Sequence, residues 1–244
     1  RVRLLEDTDG DGRFDTSKDF AEDLQAPSAI ICWDHGVIVA SGTQIVHCKD
    51  TDDDSRADER KTLFTGPAKT SALVQTPLPI RSFVWGLDNR IHAALSGDLD
   101  DGPEPQEEGA LRLDGHDFAF DPRTDAFAAE SSFGSTGVSF DTRGRKFVCA
   151  PQQPLRQVMW AARHAALAHG YVLPSPLANI SGPASATPLL PLREIELPTS
   201  APSRRTEVKR VTDYFSAASS LVVYRGNAFP PVFSEDVFVA DARA

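Results

Sequence analysis

A short unit recurs along this chain and limits what it can fold into. An apolar strand ends in an aromatic residue, a polar turn follows, and a second apolar strand returns. The unit reads Ile30-Ile-Cys-Trp33-Asp-His-Gly36-Val-Ile-Val-Ala40, then Phe83-Val-Trp85-Gly-Leu-Asp-Asn89-Arg-Ile-His-Ala-Ala94. A third copy is Val138-Ser-Phe140-Asp-Thr-Arg-Gly144-Arg-Lys-Phe-Val148. A divergent fourth runs from Leu221-Val-Val-Tyr224-Arg-Gly226 onward to Val237-Phe-Val239. Short apolar runs bounded by Gly, Asp and Asn are the mark of antiparallel hairpins. The aromatic anchors Trp33, Trp85 and Phe140 lie 52 and 55 residues apart, which suits four-stranded propeller blades of about 40–50 residues with modest loops. Tyr224 follows after 84 residues, so an insertion intervenes.

Repeats that each bury a face against the next make a radial array of sheets. The expected fold is therefore all-β: a β-propeller segment over residues 1–244, with about four blades, read as a fragment of a six- or seven-bladed propeller. Residues 1–66 form a calcium-loop blade region and 67–160 the central blades. Residues 161–213 form an insertion and 214–244 start a further blade. Helical character is confined to Met159–His169. The stretch 174–202 holds seven prolines and reads as a surface loop, and 97–108 is a second polar, acidic loop.

Near the start stands Asp7-Thr-Asp9-Gly-Asp11-Gly12-Arg13-Phe-Asp15. Carboxylates at positions 1, 3, 5 and 9, with glycine at 6, are how a tight loop wraps a calcium ion, a hard cation that takes six to eight oxygens. The Arg13 carbonyl would supply position 7. Like charges repel, so this much negative charge in one loop calls for a cation. A weaker copy follows at Asp50, Asp52, Asp54 and Asp58, with Arg56 at position 7 and Ser55 in place of the glycine. Position 12 is Lys18 in one copy and Lys61 in the other, where a helix–loop–helix calcium hand has a bidentate Glu. The loops therefore look like those between propeller strands. The competing reading is a solvated acidic turn without metal.

Net charge is −10 and the pI near 5.0, which argues against nucleic acid and against an anionic membrane surface. No apolar run approaches the roughly 18 residues of a membrane span. The chain lacks an initiator Met and reads as a segment of a longer protein. Cys32, Cys48 and Cys149 form no CxxC or CxxCH pattern. Cys32 and Cys48 are either a disulfide across a hairpin or buried thiols. Calcium loops of moderate affinity suit a compartment outside the cytoplasm.

Leu4-Leu-Glu-Asp-Thr-Asp-Gly-Asp-Gly-Arg-Phe-Asp15, Lys49-Asp-Thr-Asp52, Leu63-Phe-Thr-Gly66, Trp85-Gly-Leu-Asp-Asn-Arg-Ile-His92, Phe118-Ala-Phe-Asp-Pro-Arg123 and Tyr224-Arg-Gly-Asn-Ala-Phe-Pro230 together carry a likeness. The chain resembles the propeller region of PVC-type haem-binding, membrane-bound-dehydrogenase-domain proteins, related to glucose/sorbosone dehydrogenases. The resemblance implies export to the periplasm or cell surface and oxidation of a sugar or alcohol. It also implies a quinone cofactor and electron transfer to haem in a cytochrome c domain elsewhere in a longer chain.

A quinone-linked dehydrogenase needs a His base, and Arg or Asn groups for the cofactor. The candidates are His92, Arg81 and Arg90, although no cofactor-binding Arg-Asn run stands out. Each has a plainer reading. His92 fits one face of a strand that has Ile91 and Ala93 on the other, and the arginines fit solvent or a pair with Asp88. Trp33, Trp85 and Phe140 either stack on sugar or pack between blades. The expected function is thus a calcium-binding propeller module of an exported oxidoreductase. The alternative is a non-catalytic, calcium-stabilised propeller that binds glycan or protein.

Overall fold

The computed structural model describes residues 1–65, 80–96, 116–167, 171–183, 186–188, 215 and 217–242. The acidic loop 97–108 lies outside them, as does most of the Pro-rich stretch 174–202 and the end of the expected helix, His169. Nearly every described element is a strand. In chain order these are β1 (Val2–Glu6), β2 (Thr16–Ala21), β3 (Pro27–Trp33), β4 (Gly36–Ser41), β5 (Gln44–Lys49), β6 (Glu59–Thr65), β7 (Ile80–Trp85) and β8 (Ile91–Leu95). They continue as β9 (His116–Asp121), β10 (Ala126–Phe133), β11 (Gly137–Phe140), β12 (Lys146–Ala150), β13 (Gln153–Val158), β14 (Leu177–Asn179), β15 (Ala218–Val223) and β16 (Val237–Asp241). Among the described residues an α-helix, α1, spans Ala162–Leu167 and a short 3-10 turn spans Pro231–Phe233. No described helix is long and apolar enough to cross a membrane.

The strands form antiparallel meanders. Three sheets have four strands each, β3-β4-β5-β6, β10-β9-β8-β7 and β11-β12-β13-β14, and two hairpins, β1-β2 and β15-β16, stand beside them. The recurring unit of the sequence is the first hairpin of each four-stranded sheet, and its divergent copy is β15-β16. The chain divides into two compact units, Arg1–Ser135 and Thr136–Ala244.

In the first unit the central strands are buried on both faces. Side chains alternate across a strand, so Val37 and Val39 of β4, with Val46 and Cys48 of β5, meet Ala21 and Phe20 of the β1-β2 hairpin. Ile38, Ala40 and Ile45 point the other way and share a core with Ile80, Phe83, Ile91, Ala93, Leu95, Phe118 and Phe120 of the second sheet. Burial on both faces is why Val37-Ile-Val-Ala40 is apolar without interruption. The aromatic rings seal this seam: Phe120 stacks on Phe127 at 4.9 Å, and Phe127 lies 4.9 Å from Phe64 of β6. Deleting a fully buried ring such as Phe118 costs about 3–5 kcal/mol. Trp33 and Trp85 flank the same core, and the Trp85 indole N–H donates to the Cys32 carbonyl at 3.4 Å. Packing between sheets, the plainer reading of these aromatics, is what the structure displays.

In the second unit Phe147 and Cys149 pack against Ala218, Leu221 and Val223 of β15. Gly137 allows this approach. A Cβ there would stand 2.9 Å from the Leu221 nitrogen and from the Ser220 Cα.

Two expectations change, and one left open is resolved. The helix starts at Ala162 rather than Met159: residues up to Val158 belong to β13, and the Met159 N–H donates to the Pro176 carbonyl rather than starting a helical ladder. Part of the stretch taken as an insertion is sheet, because Leu177–Asn179 pairs with β13. Of the two readings left open for Cys32 and Cys48, free thiols hold, with Cys48 buried and Cys32 exposed. They sit opposite Val37 from either side, on β3 and β5. Two strand spacings, about 10 Å, exceed the reach of a disulfide.

Candidate metal centre

The two Asp-rich loops occupy equivalent places. The first joins β1 to β2 and the second joins β5 to β6, and each is closed by the same backbone bond. The Asp15 N–H donates to the Glu6 carbonyl at 3.1 Å, and the Asp58 N–H to the Lys49 carbonyl at 3.0 Å. The position-9 carboxylate clasps the residue at position 2. Asp15 accepts from the Thr8 hydroxyl at 2.7 Å and from its N–H at 3.1 Å. Asp58 accepts from the Thr51 hydroxyl at 2.5 Å and its N–H at 2.9 Å. Asp7 accepts from the Gly10 and Gly12 amides at 2.7 and 2.9 Å, and Asp50 from the Ser55 amide at 2.9 Å. Arg13 and Arg56 enter through their amides, each donating at 2.8 Å, to Asp11 and Asp54 respectively.

One carboxylate oxygen each from Asp7, Asp9 and Asp15 falls within a 4.8 Å cluster, as does one each from Asp50, Asp52 and Asp54. Asp11 stands outside the first cluster, its carboxylate bound to the Arg13 amide. Asp58 stands outside the second, although Asp15, with the same threonine clasp, lies inside the first. The donor set is all oxygen and anionic, which suits a hard cation. Asp50 Oδ1 adds a direct indication, because it is buried and meets no hydrogen-bond donor, a costly state for a carboxylate unless a cation or donor faces it. Electrostatics agree. The charge of Asp54 pushes the Asp52 carboxyl above its ordinary value, with Asp58 and Asp50 adding to it. The Gly12 amide holds Asp7 below the usual range, and the Thr hydroxyls do the same for Asp15 and Asp58.

Neither loop is followed by a helix; strands β2 and β6 start there instead. The lysines at position 12 bridge outward. Lys18 donates to Ser55 Oγ of the other loop at 3.1 Å and lies 3.8 Å from Glu6. Lys61 pairs with Asp125 of the β9–β10 turn at 2.7 Å. The Ala57 amide donates to the Phe20 carbonyl at 2.8 Å, so the second loop is docked on β2. Sequence reasoning passed over the threonine clasp, although the shared Asp-Thr-Asp of both loops was its signal.

The three candidates for chemistry lie in the second sheet and are engaged. His92 is 5% exposed on β8, with Nε2 3.1 Å from Asp88 Oδ1 and Nδ1 3.8 Å from Glu130 Oε1. Burial pushes the Asp88 carboxyl up, but the hydrogen bond and charge of His92 outweigh it and hold it below the usual range. The Arg90 guanidinium donates to the Ala119 carbonyl at 2.9 Å, and its amide to Asp88 at 3.3 Å. Arg81 Nε donates to Ser96 Oγ at 2.6 Å. His116 begins β9 and bonds to the Glu130 carbonyl.

No curated protein matches this chain. Among solved structures it is similar to a luciferin-regenerating enzyme, at 7% identity and a TM-score of 0.41, over 61% of this chain and 47% of that one. It is also similar to the extracellular domain of the hybrid two-component system BT4673 from B. thetaiotaomicron, at 11% identity and a TM-score of 0.35, over 87% of this chain and 26% of that one. The chain spans about half the length of the first and about a quarter of the second. Both scores lie below 0.5, and the description of the fold rests on the sheets themselves. Nothing in these matches bears on the dehydrogenase resemblance. The family model that does match, Domain of unknown function (DUF7133), covers residues 1–244, and the chain belongs to that family.

Proposed function

We propose that this chain is a calcium-binding β-propeller module of an exported, dehydrogenase-like oxidoreductase, in which calcium is a structural ion of both Asp-rich loops. The carrying observation is the pair of loops: one backbone course, one hydrogen-bond scheme and converging carboxylates at two equivalent strand connections. Asp7, Asp9 and Asp15 would hold one ion, with Asp11 and the Arg13 carbonyl in reach of the same loop. Asp50, Asp52 and Asp54 would hold the other, with Asp58 and the Arg56 carbonyl. The ion's contribution is to cancel carboxylate repulsion and fix a long connection to its sheet. The two four-stranded meanders of the first unit, packed on one shared core, support the propeller, and loops that would take calcium suit a periplasmic or extracellular site, where calcium is plentiful. Calorimetric titration with calcium tests the loops. Absence of heat, with a melting temperature indifferent to calcium, rejects them.

Oxidation of a sugar or alcohol, a quinone cofactor and a haem-bearing partner domain rest on the family resemblance. A dye-linked assay with added quinone and calcium, over a panel of aldoses and alcohols, decides that part; no turnover with any donor counts against it. One observation favours the alternative, a non-catalytic propeller that binds glycan or protein. His92, Arg81 and Arg90 are all tied to neighbouring groups of their own sheet rather than presented to a ligand.

A further inference from the structure

The hairpins β1-β2 and β15-β16 are complementary halves of one sheet. Sheet β3-β4-β5-β6 shows what a whole one contains: the recurring aromatic hairpin, then a hairpin closed by an Asp-rich loop. β15-β16 is the first half alone and β1-β2 the second. Within the whole sheet β4 pairs with both β3 and β5. Among the described residues its counterpart β16 pairs only with β15, and β1, the counterpart of β5, only with β2. An open edge of this kind is a template for another strand.

The register of a join follows from the whole sheet, whose halves meet as Val37↔Cys48, Ile38↔His47, Val39↔Val46, Ala40↔Ile45 and Ser41↔Gln44. Val223 pairs with Val237 as Cys32 does with Val37, and Glu6 precedes its loop as Lys49 does. The same register sets Val237 beside Leu5, Phe238 beside Leu4, Ala240 beside Val2 and Asp241 beside Arg1. Apolar side chains meet, and opposite charges meet at the end. Less favourable are Arg3 beside Val239 and Glu6 beside Asp236, but Asp19 and Lys18 already face these two charges.

Such a join also covers apolar side chains that one copy leaves open: Leu5 (46% exposed), Ile30 (49%), Val222 (53%) and Phe238 (40%). Ile30 and Cys32 lie on the face of β3 that continues Val39 and Val37 of β4. The β1-β2 hairpin packs on that face at β4 and β5 and leaves Ile30 and Cys32 exposed. In the joined sheet Val222, Phe238 and Ala240 share a face with Leu4 and Val2, and Val2 already packs there. They extend the cover across β3. We propose that this chain associates with a second copy of itself, the β15-β16 hairpin of one copy pairing with β1 of the other and covering Ile30. Reciprocal exchange between two copies closes the assembly. The inference draws on the meander pattern behind the propeller reading and is independent of calcium and of any activity.

Sedimentation velocity of the full chain over a concentration series tests it. The expected result is a dimer that Val222→Lys and Ile30→Lys each abolish, since each puts a charge into the apolar joint. Both residues are exposed in a single copy, so both variants should fold, as circular dichroism reports. Mixed together, the two variants should dimerise again through one intact joint. There the unaltered hairpin of the Ile30→Lys chain meets the unaltered β3 of the Val222→Lys chain. A wild-type chain that stays monomeric at every concentration overturns the inference and leaves the sheets and the calcium titration untouched. A dimer that neither variant weakens, or a mixture no more associated than its parts, overturns it too.

Discussion

The loop Asp7–Asp15 and the loop Asp50–Asp58 run the same course at different expense. Both turn left-handed at positions 4 and 6. The first uses Gly10 (φ 76°) and Gly12 (φ 85°), whereas the second forces Asp53 (φ 60°) and Ser55 (φ 72°) into that region. A non-glycine residue there costs on the order of 1–3 kcal/mol and persists only when its surroundings hold it. The surroundings differ as required. The second loop is braced by Lys18 on Ser55 Oγ and by the Ala57–Phe20 backbone bond. In the first, a Cβ added to Gly10 or Gly12 would meet nothing within 4 Å. The carboxylate spacing and the threonine clasp, common to both, define the loop; glycine is a local means of reaching the turn where no brace exists.

The largest expected effect removes what the loops share. If both hold calcium, chelation should destabilise the first unit strongly. Each site filled at a hundred times its dissociation constant contributes about 2.7 kcal/mol, and each kcal/mol moves the melting temperature of a chain this size by about 2–4 °C. Scanning calorimetry should therefore show a fall of about 10–20 °C in EDTA. Asp9→Ala and Asp52→Ala should each remove roughly half of it. A full loss from one substitution would mean that the loops are not two independent structural sites.

Exchanging the turn residues sharpens the contrast. Gly12→Ser should destabilise by about 1–2 kcal/mol, since nothing braces the new side chain against left-handed strain. Ser55→Gly should change stability by less than about 1 kcal/mol, because relief of strain is offset by the lost Lys18 bond and by a more flexible unfolded chain. Equal effects in urea melts would erase the distinction between a braced and an unbraced loop.

This contrast also marks what was legible in the sequence. The carboxylate spacing named both loops, and the Lys at position 12 set them between strands, because both signals are local. The hairpins around Trp33, Trp85 and Phe140 were legible for the same reason: alternation and turn residues lie within a dozen positions. What escaped depends on distant partners. Lys18 reads as a failed ligand until β2 is seen beside the second loop. Cys32 and Cys48 read as a possible pair until Val37 is found between them. His92 reads as either a candidate base or a plain strand residue until Asp88 and Glu130 are placed around it.

The threonine clasp should act alike in both loops and more weakly than the glycine exchange. Thr8→Val and Thr51→Val each remove one hydroxyl donor from an exposed carboxylate. Matching small falls in melting temperature are expected with EDTA present. A large fall for one alone would show that its loop depends on the clasp and the other does not.

The smallest effect concerns acid in the metal-free protein, and here the loops should part in sign. Asp15 has its folded pKa lowered by Thr8. Its stabilising contribution is complete above the ordinary carboxylate value of 3.8 and is lost as pH falls through the lower, folded value. Asp52 is the reverse case, raised chiefly by the charge of Asp54. The fold penalises its ionised form at neutral pH, and the penalty lifts as pH falls through the raised value, before Asp15 begins to titrate. In EDTA, Asp52→Asn should thus raise the melting temperature slightly at pH 7 and flatten its change as pH falls toward the ordinary carboxylate value of 3.8. Asp15→Asn should lower it at pH 7 and remove part of the loss below pH 4. If Asp52→Asn lowered stability at neutral pH without calcium, the second loop would not be a site of uncompensated repulsion, and the main electrostatic reason for placing a cation there would be gone.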